Sequence, residues 1–286
     1  TTRSIPHLHY VGLSRVTTID GLYITDLCKD KIAVSDDVQT EMRRLRTEGQ
    51  LALSVNPIYK VSQINFKVSF LNARSLHKHI EDVRKDINYS KTDVSIFSET
   101  RFTQLDNDNL YLLEDDKYTL FRNDATTKDL QNTRPFGGKA VYSCVDFYPG
   151  YPYCFNQNGV EITILRFMII PHITIVAVYR SPAVSITQMC SAVRQTLQSL
   201  SSQFNLFIGD FNVNWLNNSQ RTPLYNLFIR DNAYRQLVQY STTDSSSCID
   251  HIYTNLPEAT VNFGILETYF SDHKAIYALI NSFNTN

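Results

Sequence analysis

The sequence is poor in glycine and proline, with nine of each in 286 residues, too few for a collagen-like or low-complexity chain. Cysteine is scarce as well. Its five residues are odd in number, widely spaced and without a C-x-x-C pair. That spacing argues against a disulfide framework or zinc knuckle and for a reducing compartment, so an intracellular, nuclear or cytoplasmic, setting is expected. No charge of one sign dominates: 27 Lys and Arg face 28 Asp and Glu, a formal net charge of −1. This excludes a histone-like polycation and an acidic tail and leaves room for a local basic groove. Long apolar runs are missing too. The longest, Phe167 to Tyr179, is broken by Pro171, His172 and Thr174, short of the ~20 residues a helix needs to cross a bilayer, so no membrane partner is expected. The opening TTRSIPHLHY has no basic-then-apolar signal layout and no initiator methionine, and it reads as a cut inside a longer chain.

What is present is an ordinary globular composition, 43% hydrophobic and 12% aromatic, in a chain long enough for one large domain or about two. The first fifty or so residues differ in character from the rest. HYVGLSRVTTIDGLYITDL gives an apolar element, an Arg-bearing turn and a strand-like run. Asp36 or Asp37 is placed to cap a basic helix that Gly49 stops. A boundary is expected near Val55. From Ile64 onward strand-like and helix-like windows alternate. INFKVSFLN, TDVSIFSE, YTLFR, GKAVYSCV, VEITILRFMI, HITIVAVY, NLFIGDFN, CIDHIYTN and KAIYALI read as strands, many apolar on both faces. Leu76, Ile80, Val83 and Ile87 make one helical stripe, and Ile186, Met189, Val193, Leu197 and Leu200 make another. A third helix is expected to open at Thr222-Pro223, where proline fits the first turn. The pattern predicts an α/β (α+β) domain with two stacked sheets covered outside by helices.

Polar residues recur where these strands end: Asn72, Glu99, Tyr179, Asp210 with Asn212, Asp250, and Asp272 with His273. Taken singly, each is an ordinary turn former, helix cap or core residue. Together, in order, they describe strand ends converging on one mouth, where a rigid sheet holds side chains in register. Acids and amides without cysteine ligands suit Mg²⁺ or Mn²⁺ rather than Zn²⁺. A hard cation, a histidine and a water-orienting Asp/Asn pair are what in-line attack on a phosphodiester requires.

The ordered segments FLNARSL, IFSETRF, VAVYRSP, FIGDFNVNW, CIDHIYTN and YFSDHKAI resemble the endonuclease/exonuclease/phosphatase superfamily. Within it they most resemble the apurinic-type endonuclease domains of non-LTR (LINE) retrotransposons. The resemblance covers about residues 62 to 282 and implies a four-layer αββα sandwich of the DNase I-like type. It also implies roles. Glu99 would be the principal metal ligand, with Asn72 and Asp272 completing the set. Asp210 would activate the attacking water, Asn212 would orient it, and Tyr179 would contact the phosphate or leaving oxygen. Asp250 would fix the tautomer of His273, which would bind the scissile phosphate. Arg74 stands where cellular abasic-site repair enzymes commonly carry an acid, and Pro182 where they tend to carry an asparagine. The departures imply nicking of undamaged DNA. Arg74, Lys78, Arg101, Arg122 and Arg180 lie near the motifs as candidate phosphate contacts.

The N-terminal HYVGLSRVTTIDGLYITDL is similar to the last motif of PIF-type superfamily-one DNA helicases. The resemblance makes residues 1–54 a helicase tail, with Arg15 reaching the γ-phosphate of ATP. Phe136-Gly137-Gly138-Lys139-Ala140 lacks both the earlier glycine and the following hydroxyl of a G-x-x-x-x-G-K-[ST] loop, so this chain cannot bind ATP by that route unaided. A helicase tail followed by a retroelement-type endonuclease resembles the C-terminal end of Helitron transposon proteins. The expected partners are DNA and upstream helicase domains, with no small-molecule cofactor. Two alternatives remain open: a phosphatase of the same superfamily acting on a lipid or inositol phosphate, and an inactive nucleic-acid-binding remnant.

Overall fold

The computed structural model describes residues 65–113, 117–125, 137–157, 159–168 and 173–281, together with Asp36, Gln39, Thr40 and Arg43. The chain divides into two units, Thr1–Ser54 and Val55–Asn286. The four described residues of the first unit are helical. The Arg15 motif and the turn at Gly49 lie outside the described residues.

In the second unit, β1 (Phe66–Asn72) leads through helices α1 (Leu76–Lys85) and α2 (Ile87–Ser90) to β2 (Val94–Ser98). Strands β3 (Thr119–Asn123), β4 (Lys139–Ser143), β5 (Tyr153–Gln157), β6 (Val160–Leu165) and β7 (Ile173–Arg180) follow. Helix α3 (Ile186–Ser199) then precedes β8 (Phe204–Asp210), and α4 (Asn218–Leu224) precedes β9 (Arg235–Gln236). The chain closes with β10 (Asp250–Thr254), β11 (Val261–Leu266) and β12 (Ala275–Ile280). Among the described residues these form two six-stranded sheets, ordered β11-β12-β1-β2-β4-β3 and β5-β6-β7-β8-β10-β9. Each has a parallel pair at its centre, β1 with β2 and β7 with β8, and antiparallel neighbours outside. A parallel pair needs a crossover, and α1 and α3 supply the two.

Helix α3 shows why the sequence folds this way locally. The Ser185 hydroxyl accepts from the Gln188 amide in a capping box, which starts the helix where the chain leaves β7. Met189 and Val193 are fully buried on the sheet, with Ile186, Leu197 and Leu200 flanking them, so the expected stripe is the buried face. The same alternation explains the strands. Val68 and Phe70 of β1 enter the core between the sheets, whereas Leu71 joins Leu76, Ile80 and Val83 beneath α1. Continuing that period of two puts Asn72 on the side facing the other sheet.

Three expectations are corrected. Ile87 does not continue the first helical stripe: α1 ends at Lys85, and Ile87 opens α2 half exposed. The third helix starts at Asn218 rather than at Thr222-Pro223, because the Asn217 side chain accepts from the Ser219 and Gln220 amides at 3.0 and 3.3 Å and caps it earlier. Pro223 sits in its last turn, and the chain continues as a π-helix over Tyr225–Arg230. The wider turn suits a proline, which has no N–H to donate and whose ring crowds the preceding turn. Strands β5, β9 and β11 were not among the expected strands. β5, β9 and β11 lie at sheet edges, and β5 and β11 are partly exposed with broken alternation, so neither has the apolar run of a central strand.

Candidate active site

Register decides which residues can meet. In the first sheet Asn72 pairs with Ser98 and Ser98 with Lys139. In the second, Glu161 pairs with Tyr179, Tyr179 with Asp210, and Asp210 with Asp250. Residues paired across a sheet share a face, so each sheet presents one polar row at the same end. The two rows meet across the sandwich, where the Asn72 amide Nδ2 donates to Asp210 Oδ2 at 3.0 Å, over 138 positions of sequence.

Glu99 follows the end of β2 with φ at 50°, and Arg101 has φ at 60°. A left-handed backbone at a non-glycine residue costs about 1–3 kcal/mol and is retained only where the surroundings impose it. The carboxylate so placed accepts at Oε1 from Asn72 Nδ2 at 2.9 Å and from the Tyr179 hydroxyl at 3.1 Å. Among the described residues no hydrogen bond reaches Oε2, although Glu99 is only 8% exposed. Burial first, then the charges of Glu99 and Asp210, hold the Tyr179 hydroxyl far above its ordinary range, so it stays a neutral donor.

Asp210 ends β8. Gly209 before it passes so close to β7 that a Cβ would run into the Val178 carbonyl. The Asp210 carboxylate accepts from the Asn212 amide at 2.9 Å through Oδ1 and from Asn72 through Oδ2. Asn212, at φ 51°, turns its own side chain to donate to the Arg180 carbonyl at 2.7 Å. Asn tolerates this left-handed turn better than most residues. Burial, and then the neighbouring Asp250 charge, push the Asp210 carboxyl up to about 7, against the opposing pull of His273 and Asn72.

His273 Nδ1 donates to Asp250 at 2.9 Å, and both residues are buried. Burial alone would depress this imidazole, yet the Asp250 carboxylate, joined by the Asp210 and Asp272 charges, outweighs it and pushes the ring up to about 9. With Nδ1 committed, Nε2 is the nitrogen left to meet a ligand. Strand alternation separates His273 from the other histidine of the region. His251, beside Asp250, points to the opposite face, where its ring bonds to the Cys248 carbonyl and the Tyr253 hydroxyl, and burial holds it down to about 4. It is a satisfied core histidine.

Two places could take a cation. Ligand atoms of Asp210, Asp250 and His273 all lie within 4.8 Å of one another. However, His273 and Asp250 are already bonded to each other at 2.9 Å, which commits Nδ1. The Glu99 carboxylate, with one oxygen held and the other unpartnered beside Asn72, is the oxygen donor set that fits Mg²⁺ or Mn²⁺.

The comparisons agree with this architecture. A family model described as endonuclease-reverse transcriptase matches residues 173–277, which takes in Tyr179, Asp210, Asn212, Asp250, Asp272 and His273. An AP endonuclease from Archaeoglobus fulgidus superposes with a TM-score of 0.53 at 12% identity, covering 76% of this chain and 100% of that one. The fold is that of the endonuclease/exonuclease/phosphatase superfamily. The endonuclease domain of TRAS1, a telomere-specific non-LTR retrotransposon, superposes at 0.51 with 14% identity, covering 76% and 98%. A mannosyl-6-phosphatase from Bacteroides thetaiotaomicron does so at 0.55 with 14% identity, covering 75% and 99%. No curated protein gives a significant sequence match.

Within this superfamily fold the structure gathers Asn72, Glu99, Tyr179, Asp210, Asn212, Asp250 and His273 at one rim. Asp272 lies beside them, close enough for its charge to act on His273; it is half exposed, and Arg74 grips both its oxygens at 2.8 and 2.9 Å. Of the candidate phosphate contacts, Arg180 is buried and holds the Phe211 carbonyl at 2.7 Å. Arg122 is spent on Asp108, Asp124 and the Thr103 and Asp106 carbonyls. Both brace loops. Lys78 is exposed. Sequence reasoning missed Ser271, whose hydroxyl donates to the Asn72 carbonyl at 2.7 Å and accepts from the His273 amide at 3.1 Å. The hydroxyl two residues before the histidine was its signal.

Proposed function

We propose that this chain is a divalent-metal-dependent DNA endonuclease that nicks undamaged DNA. The observation that carries the reading is the single hydrogen-bonded rim. Asn72 bridges Glu99 and Asp210, and His273, held by Asp250, closes the other side. Glu99 and Asn72 would hold a Mg²⁺ or Mn²⁺ ion, Asn72 through the Oδ1 that also accepts from the Arg74 amide at 3.1 Å, and the ion would supply charge neutralisation at the phosphoryl oxygens and leaving group. Asp210, poised near neutrality, takes a proton from water as the water oxygen bonds to phosphorus and the opposite phosphorus–oxygen bond breaks. Asn212 keeps Asp210 turned toward that water. His273, protonated, donates from Nε2 to the phosphate, and Asp250 fixes its tautomer. Tyr179 holds Glu99 with a neutral hydroxyl.

The Archaeoglobus and TRAS1 relatives support an endonuclease, and the Arg74–Asp272 pair, in place of an acid two residues after Asn72, supports undamaged DNA over abasic sites. The mannosyl-6-phosphatase likeness favours a second reading, a phosphomonoesterase. Supercoiled plasmid and inositol phosphate, offered side by side, decide between them. The endonuclease reading expects Mg²⁺- or Mn²⁺-dependent open circles, lost with chelator and reduced by at least about 10² in Glu99→Ala. Phosphate release without nicking establishes the phosphatase, and nicking undiminished in Glu99→Ala contradicts the site. For residues 1–54 we propose a PIF-type helicase tail in a Helitron-like protein, on the motif around Arg15. That motif would complete an ATP site only with upstream helicase domains.

A further inference from the structure

The Gly-Gly-Lys segment that fails as a phosphate loop has another use. Lys139 begins β4, opposite Ser98 in the register and so beside the residue that precedes Glu99. It is 1% exposed, an unusual place for a lysine. Its ammonium crosses between the sheets to donate to the Glu161 carbonyl at 2.7 Å and the Ala177 carbonyl at 2.9 Å. Ala177 lies two residues before Tyr179 on the same face, and Glu161 pairs with Tyr179 itself. Both anchors therefore sit under the hydroxyl that holds Glu99.

The segment grips the other side of Glu99 as well. The Gly138 carbonyl accepts from the Thr100 amide at 3.2 Å, and the Gly137 carbonyl accepts from the Arg101 amide at 3.1 Å. These are the two residues after Glu99, inside its left-handed turn. Gly138, at φ 88°, lies so close that a Cβ there would stand 2.7 Å from Thr100 Oγ1. Its own amide donates to Glu161 Oε1 at 3.3 Å. Glu161 Oε2 is buried with no hydrogen-bond partner among the described residues.

We infer that Gly138, Lys139 and Glu161 form an inter-sheet tether that positions Glu99 for its metal. They are positioning residues, acting through the Glu99 turn and Tyr179. The inference rests on the reading of Glu99 as metal ligand. It goes beyond that reading by assigning the set point of the ligand to three residues that touch neither metal nor DNA. Outer-sphere partners of a ligand typically change metal affinity 10–100-fold when removed. Lys139 supplies donors rather than bulk, so a side chain of similar length without them should break the tether while filling its space.

The test is Mn²⁺ binding by electron paramagnetic resonance on the whole chain, with amide deuterium exchange read at residues 99–101 and KM for plasmid DNA measured in parallel. In Lys139→Met the Mn²⁺ dissociation constant is expected to rise about 10-fold. Exchange at Thr100 and Arg101 should quicken, and KM for DNA should hold. Glu161→Ala keeps both Lys139 bonds to backbone carbonyls and removes the acceptor of the Gly138 amide together with the carboxylate charge that acts on Lys139. It reports on the same tether if Lys139→Met does not fold, and it should weaken Mn²⁺ in the same direction. A core residue that merely packs would lower melting temperature and leave metal affinity alone. Mn²⁺ affinity within about twofold of wild type in the folded variants, with unchanged exchange at Thr100 and Arg101, overturns the inference. A wild-type chain that binds no Mn²⁺ removes the reading of Glu99 and the tether with it. A wild type that binds and nicks while the variants match it removes the tether alone.

Discussion

Asp210→Asn lowers the nicking rate by about 10²–10⁴ while far-UV circular dichroism stays that of the wild type. The substitution keeps the size of the side chain and removes its ability to take a proton. Three donors converge on this carboxylate: the Asn212 amide on Oδ1, with the Asn72 and Asn212 side chains on Oδ2. They hold the acid in one orientation, and none of them can accept a proton in its place. Burial pushes Asp210 up to about 7, which would match a base to neutral pH. A single-turnover plasmid assay at saturating Mg²⁺ measures the effect. A variant that nicks at the wild-type rate would take Asp210 out of the chemistry.

The pH profile carries the second large effect. A base near 7 must lose its proton and an imidazole near 9 must keep its own. The rate therefore rises with pH through about 7 and falls through about 9, a bell that reports the coupled site as a whole. Asp250→Asn moves both limbs to lower pH. Without that carboxylate, burial of His273 is opposed only by the Asp210 and Asp272 charges, so its ring loses its proton at lower pH than in the wild type. Asp210 in turn loses the neighbouring charge that helps hold it up. At pH 8 the variant should be slower by about 10² or more, since most of its His273 is neutral. An alkaline limb that stays near 9 would show that Asp250 does not set the charge of His273.

Much of this site was legible because its residues stand at the ends of strands, where a period of two and a polar terminus are plain to read. Asn72 after VSFL, Glu99 after SIFS and Asp210 after LFIG inherit their facing direction from the apolar residues before them. What a linear pattern does not carry is pairing across the sandwich. Nothing near Lys139 in sequence says that its ammonium ends on the carbonyls of Glu161 and Ala177. Nothing near Asp272 says that Arg74, 198 positions away, takes both its oxygens. The edge strands β5 and β11 escaped for a related reason: half-exposed and paired on one side, they need little apolar character. The π-helical turn after Pro223 escaped because the cap that starts α4, Asn217, lies six residues before the proline that looked like its beginning.

On the proposed function the rim has a metal side, Asn72 and Glu99, and a proton side, Asp210, Asp250 and His273. Anomalous diffraction from crystals soaked in Mn²⁺ tests that division directly. The prediction is a peak on the Glu99 carboxylate, with the His273–Asp250 hydrogen bond intact. A peak held instead by Asp210, Asp250 and His273, with Glu99 uninvolved, would contradict it.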